Sequence, residues 1–96
     1  TFVAHLDRHG LTPAQINHIR WQMATLNDEI ARDEANLGAG YRIGHSFFTP
    51  TAPVSDFRKW FLSIVRYEIL PLLEEYWIDD PKKLQQFRLS LIEGIP

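Results

Sequence analysis

Along much of the chain, apolar residues fall at steps of three and four, the spacing that lines one face of an α-helix. The longest such run, Ile16, Ile19, Met23, Leu26 and Ile30, predicts the principal helix. Its start is written in GLTPAQI. The Thr12 hydroxyl can accept from a free first-turn amide, Pro13 suits the first helical position, and Gln15 completes a capping box. Leu11 and Ile16 have the spacing of a hydrophobic staple. Gly10 can take the left-handed conformation that closes a helix, so residues 2–9 are predicted to form a short one. LGAG at 37–40 is expected to end the long helix.

A further aromatic stripe, Phe57, Trp60, Phe61 and Ile64, predicts a third helix capped by Ser55 or Asp56. Pro71 has no amide donor and its ring crowds the Tyr67 carbonyl, which predicts a kink or restart within LPLLEEYW. Leu72, Leu73 and Tyr76 resume the pattern. Asp80 and Pro81 open a last helix with Leu84, Phe87 and Leu91 on its inner face and Gly94 at its close. The fold class is therefore all-α, a small bundle of about four helices forming one domain over residues 1–96. YRIGHSFFTP at 41–50 interrupts it. Tyr41, Ile43 and Phe47, with Arg42 and His45 between them, predict a short extended segment near residues 41–48, and Pro50 and Pro53 stop any helix from running through.

Composition narrows the function classes. A chain of 96 residues buries only roughly 60 to 65% of the surface its unfolded form exposes. The absence of cysteine excludes a disulfide framework and a thiolate metal site, and cytoplasmic residence is expected. With a net charge of −2 and cations spread along the sequence, no direct nucleic-acid binding is expected, and no helix reads as a basic recognition element. No apolar run approaches the roughly 20 residues of a membrane span, and no signal peptide opens the chain.

The phosphate loop, the nucleophile elbow and the zinc-protease helix are all missing, so the chain by itself is not expected to catalyse a reaction. It opens at Thr1 without an initiator methionine, which suggests a piece of a longer protein.

The remaining chemistry is sparse. His5 and His9 have a spacing that can hold zinc, but no third ligand is evident, and an ordinary histidine pair is preferred. His18 stands on a different segment. Asp28, Glu29, Asp33 and Glu34 read as a solvated helix face, and Glu74, Glu75, Asp79 and Asp80 as surface carboxylates around a helix start. Trp60 and Trp77 read as core or interface aromatics. Trp21 lies off the main stripe, facing either the N-terminal helix or a partner domain. Gly44, His45 and Ser46, held between Ile43 and Phe47–Phe48, offer amides and side-chain donors that suit an anion, although a simple turn explains the same residues.

Residues 26–48, LNDEIARDEANLGAGYRIGHSFF, and residues 68–81, EILPLLEEYWIDDP, resemble the C-terminal part of McrB-type AAA+ NTPases, the GTP-dependent motors of modification-dependent restriction systems. The resemblance runs from about Leu26 to about Gly94 and is strongest at Ile43–Phe48 and Glu68–Pro81. It implies the small helical lid that follows an α/β nucleotide-binding core, with GTP or ATP and magnesium bound by the parent protein. The partners it implies are that upstream core, neighbouring subunits of a ring and a nuclease subunit.

Many related lids place a sensor arginine in a Gly-x-Ser-x-Arg stretch. Gly44 and Ser46 match that register, but Phe48 stands where the arginine would be. By this resemblance Arg42, Gly44, His45 and Ser46 are the nucleotide-facing candidates, with His45 and Arg42 replacing the missing cation. A free-standing helical interaction module without nucleotide is the competing expectation.

Overall fold

All 96 residues are described by the computed structural model, which contains five α-helices and no β-strand. They are α1 (Phe2–Arg8), α2 (Pro13–Arg32), α3 (Phe57–Ile64), α4 (Leu70–Tyr76) and α5 (Pro81–Ser90). The expected starts are present. Thr12 Oγ1 accepts from the Gln15 amide at 3.2 Å, while Gln15 Oε1 accepts from the Thr12 amide at 2.9 Å, which completes the capping box. Asp56 and Asp80 cap α3 and α5 by accepting from the Lys59 and Lys83 amides. Gly10 closes α1 with φ of 91°. The end of α2 differs from expectation, because the helix stops at Arg32, ahead of the glycines. Gly38, at φ 104°, folds back so that its amide donates to the Ile30 carbonyl, and so satisfies a helix-end acceptor.

The proline in LPLLEEYW is accommodated by a wide turn. Val65–Ile69 is π-helical, and the Leu70 amide donates to the Val65 carbonyl five residues back. Widening the ladder there removes the conflict between the Pro71 ring and the preceding carbonyls, so α4 restarts from the same column.

Two columns carry the architecture. α2, with 20 residues, is about 30 Å long. The α3–α4 column runs beside it in the same direction: His18 meets Phe57 and Phe61 at one end, while Asp33 shares a cleft with Trp77 and Asp79 at the other. α5 returns antiparallel to α2. Lys83 Nζ bridges to Glu29 Oε1 at 2.9 Å and lies 5.6 Å from the Trp77 ring centre, and Gln22 Nε2 donates to the Ser90 carbonyl at 3.0 Å. The Glu29 partnership raises the pKa of Lys83.

The core is one cluster of 18 buried side chains. It takes in the whole predicted stripe of α2, Phe57, Phe61 and Ile64 of α3 with half-buried Trp60 packed against them, and Leu73, Trp77, Phe87 and Leu91. Phe61 is fully buried and stacks between Phe48, at 5.5 Å, and Phe57, at 5.7 Å. Trp21 lies outside this core and stays 62% exposed.

His18 borders this aromatic cluster, its Nε2 buried without a hydrogen-bond partner, and burial lowers its pKa. The folded state therefore disfavours its proton, whereas the unfolded chain takes it up near pH 6.5. Stability from neutral His18 is complete above about pH 6.5 and is lost as the pH falls below that value, levelling off below the folded pKa. Urea midpoints measured from pH 7.5 to 5.5 should fall further in the wild type than in His18→Leu; equal slopes would remove His18 from the account.

Candidate functional site

The segment from 37 to 56 returns from the far end of α2 to the start of α3. Within 39–48, Ala39–Tyr41 and His45–Phe48 are 3₁₀ turns, which leaves only Arg42–Gly44 between them for extended backbone. The expected extended stretch over 41–48 is therefore shorter than the alternation suggested. A β-neighbour is supplied in miniature by one side chain. Asn27 of α2 donates through Nδ2 to the Ile43 carbonyl at 2.9 Å and accepts through Oδ1 from the Ile43 amide at 2.5 Å. Both backbone groups of a residue only 3% exposed are thereby satisfied. On the far side of the loop, Phe48 is buried against Phe61 and edge-on to Trp60. Ile43 and Phe48 thus anchor the loop at two points, and what lies between is held against the bundle.

Between and beside these anchors opens a groove of about 810 Å³ along the outer side of α2. Arg42, Gly44 and His45 line one wall; Asn17, Arg20 and Trp21 line the other. Ser46 is exposed but does not line the groove. Arg42 Nε donates to the Ala39 carbonyl at 2.9 Å, which fixes the stem of the side chain and leaves the terminal amines available. The His45 ring stacks on Phe2 at 4.2 Å, with 12° between the planes, while its own carbonyl accepts from Thr49 Oγ1 at 2.8 Å. Gly44 has an ordinary extended φ of −87°, and an added Cβ would meet only Ser46 Oγ, at 4.0 Å. Its conformation does not require glycine. The Gly44 and His45 amides donate to no other group of the chain.

The groove therefore joins two arginines, an oriented imidazole and free backbone amides, a donor set that suits an anion. Its wall of Arg20, Trp21 and Asn27 was not legible as a site. Arg20 and Trp21 lie off the buried stripe, and nothing in the sequence pairs them with a loop some twenty residues later. The other candidates lie elsewhere. His5 Nε2 is 2.7 Å from the Pro50 carbonyl, and His9 Nδ1 is 2.7 Å from the His5 carbonyl, so both rings tie down backbone. Asp28 pairs with Arg32, Glu29 with Lys83, and Glu74 with Arg88. No group of histidine and acidic residues converges as a metal site, and no helix is long and apolar enough to cross a membrane.

Comparison with known proteins agrees with the two stretches that anchor this architecture. The family model of the McrB alpha-helical lid domain matches residues 18–85, which include Asn27, the loop, the α3–α4 column and α2 from its second turn onward. The chain is 39% identical over 85 residues to the Type IV methyl-directed restriction enzyme EcoKMcrB subunit of Escherichia coli (strain K12). The match covers 83% of this chain but 18% of that protein, so the chain spans less than a fifth of its relative. The clamped loop and the α3–α4 column fall inside the matched region, and the chain belongs to the McrB alpha-helical lid domain family.

Proposed function

We propose that this chain is the lid of a larger NTPase in a restriction system, and that the groove beside α2 faces nucleotide bound to an upstream α/β core. The observation that carries this reading is the Asn27 clamp on Ile43, which holds Arg42, Gly44 and His45 together on one wall of an anion-suited groove. GTP or ATP would supply the phosphates, and magnesium would be held by the core. Within this chain, Arg42 and Arg20 would balance phosphate charge, the free amides of Gly44 and His45 would orient it, and His45, braced by Phe2, would donate from a fixed ring.

The buried Phe48 explains how the loop can lack the sensor arginine of related lids and remain fixed, since stacking on Phe61 replaces any polar attachment at that position. A lid of this kind couples hydrolysis to subunit motion only through contacts that differ between nucleotide states. Arg42 and His45 sit on exposed positions that can make and break such contacts without disturbing the core.

In the parent protein, Arg42→Ala and His45→Ala should each lower kcat/KM for nucleotide hydrolysis by roughly tenfold or more, equivalent to at least about 1.4 kcal/mol of transition-state stabilisation. Thermal stability should be unchanged, as both residues are exposed. Unaltered hydrolysis by both variants would exclude a nucleotide-facing role for this wall.

A further inference from the structure

Of the three tryptophans, Trp60 and Trp77 pack against other aromatic rings, whereas Trp21 packs against none. It alone, among the exposed large apolar side chains, lines the groove beside α2. Asn17, Trp21 and Ala24 recur at steps of four and three, so they share the groove face of the helix. The small Ala24 side chain, one turn on, does not cover the indole.

The groove is larger than its anion-binding wall requires. At about 810 Å³ it lies in the range that holds a whole small-molecule ligand, yet Arg42 and the amides of Gly44 and His45 occupy the loop side only. Arg20 adds a cation beside Trp21, and no aspartate or glutamate lines the groove. Ile43, next to Arg42, is held at Asn27. Trp21 lies six residues earlier on α2, which is about 9 Å of helix rise. A phosphate at Arg42 therefore leaves the sugar and base of the same molecule to extend towards Trp21.

A planar base gains more from an exposed indole than any other part of a nucleotide does. Every base has a π-face, so stacking on an aromatic side chain adds affinity without reading the hydrogen-bonding edge. Ribose and phosphate have no such face.

We propose that Trp21 is the platform on which the base of the bound nucleotide stacks, with the triphosphate turned towards Arg42, Gly44 and His45. The assignment rests on the nucleotide-facing reading of this groove and adds to it the residue that holds the base. Trp21 touches no reacting atom. What it contributes is present equally before and during phosphoryl transfer, and binding of that kind lowers KM without raising kcat. A neighbouring domain seated on Trp21 is the competing occupant. It would use the indole whether or not a base is present, so loss of the ring would disturb the phosphate contacts and kcat as well.

The test is made in the parent protein with Trp21→Ala and Trp21→Phe. The probes are GTP, ATP and inorganic triphosphate, the last of which carries the phosphates without a base. A nucleotide that is not hydrolysed is measured as a competitive inhibitor. Trp21→Ala should weaken GTP and ATP alike by about tenfold, with kcat within about twofold of wild type. Trp21→Phe should recover most of that loss, since it keeps an aromatic face. Inorganic triphosphate should inhibit wild type and Trp21→Ala equally. Both variants should melt with the wild type, because the side chain lies outside the core.

Undiminished nucleotide affinity in Trp21→Ala would overturn the proposal. So would an equal loss for inorganic triphosphate, which is the result expected of a domain seat. Arg42→Ala separates the stacking from the reading beneath it, because it should weaken nucleotide and inorganic triphosphate together. If it does so while Trp21→Ala has no effect, only the stacking is wrong. If neither variant changes any affinity, the groove does not face nucleotide and both readings fall.

Discussion

Asn27→Leu should destabilise the protein by about 2–4 kcal/mol, although the substitution is close in shape and Asn27 is only half-buried. The loss arises at the partner residue. The Ile43 amide and carbonyl both end on the Asn27 side chain, and Ile43 is 3% exposed, so a leucine leaves a buried donor and a buried acceptor with no substitute. Each such orphan costs roughly 1–3 kcal/mol, well above the 0.5–1.5 kcal/mol net value of an ordinary hydrogen bond. The loop can recover its hydrogen bonding only by lifting into water, and Ile43 then leaves the core.

Hydrogen exchange discriminates between these outcomes. The Ile43 amide should be protected in the wild type and exchange through local opening in Asn27→Leu, with the α2 amides keeping their protection. Asn27→Asp should fall between the two, because it keeps the acceptor for the amide but sets a carboxylate against the Ile43 carbonyl. If Asn27→Leu changes neither stability nor Ile43 exchange, the clamp does not hold the loop.

Phe61→Ala should cost about 3–5 kcal/mol, the range for removing a fully buried aromatic. Phe61 touches elements that are far apart in sequence: Phe48 of the loop, Phe57 of α3 and His18 of α2, at ring distances of 5.5, 5.7 and 5.1 Å. Truncation leaves a cavity and removes stacking contacts worth roughly 0.5–1.5 kcal/mol each beyond the buried area. Against a total stability of about 5–15 kcal/mol, that is a large fraction, and the melting temperature should drop by roughly 12 °C or more. The urea midpoint should move with an unchanged m-value. Leu89→Ala, at a position 51% exposed, serves as the control and should stay within about 0.5 kcal/mol. Equal effects at the two sites would mean that the aromatic stack does not organise the core.

These two residues lie on opposite sides of what the chain discloses on reading. Phe61 was marked by its place in an aromatic stripe, and burial follows from the helical period. Asn27 carries no such mark. On the flank of an amphipathic helix, an asparagine looks like any solvated polar residue, and its partner lies 16 positions away. The loop was equally ambiguous. Tyr41, Ile43 and Phe47 alternate as a strand would, but with no second strand to pair with, 3₁₀ turns at Ala39–Tyr41 and His45–Phe48 leave only 42–44 between them. Pro71 was legible as a break in the ladder, whereas its resolution as a π-turn depended on the packing of Val65 and Ile69 into the core, both nearly inaccessible.

The groove beside α2 was half legible: Arg42, Gly44 and His45 were marked by their own stretch, whereas Arg20 and Trp21 come opposite them only in the folded chain.

By itself the sequence determined the helices, their caps, the buried stripes and the family resemblance, because each depends on residues within a few positions of one another, or on their order along the chain. Only the tertiary structure decided which side of α2 is open and which polar side chain holds the loop. Those features arise from pairs far apart along the chain, whose contacts form only when the two columns pack and the 37–56 segment is drawn between them.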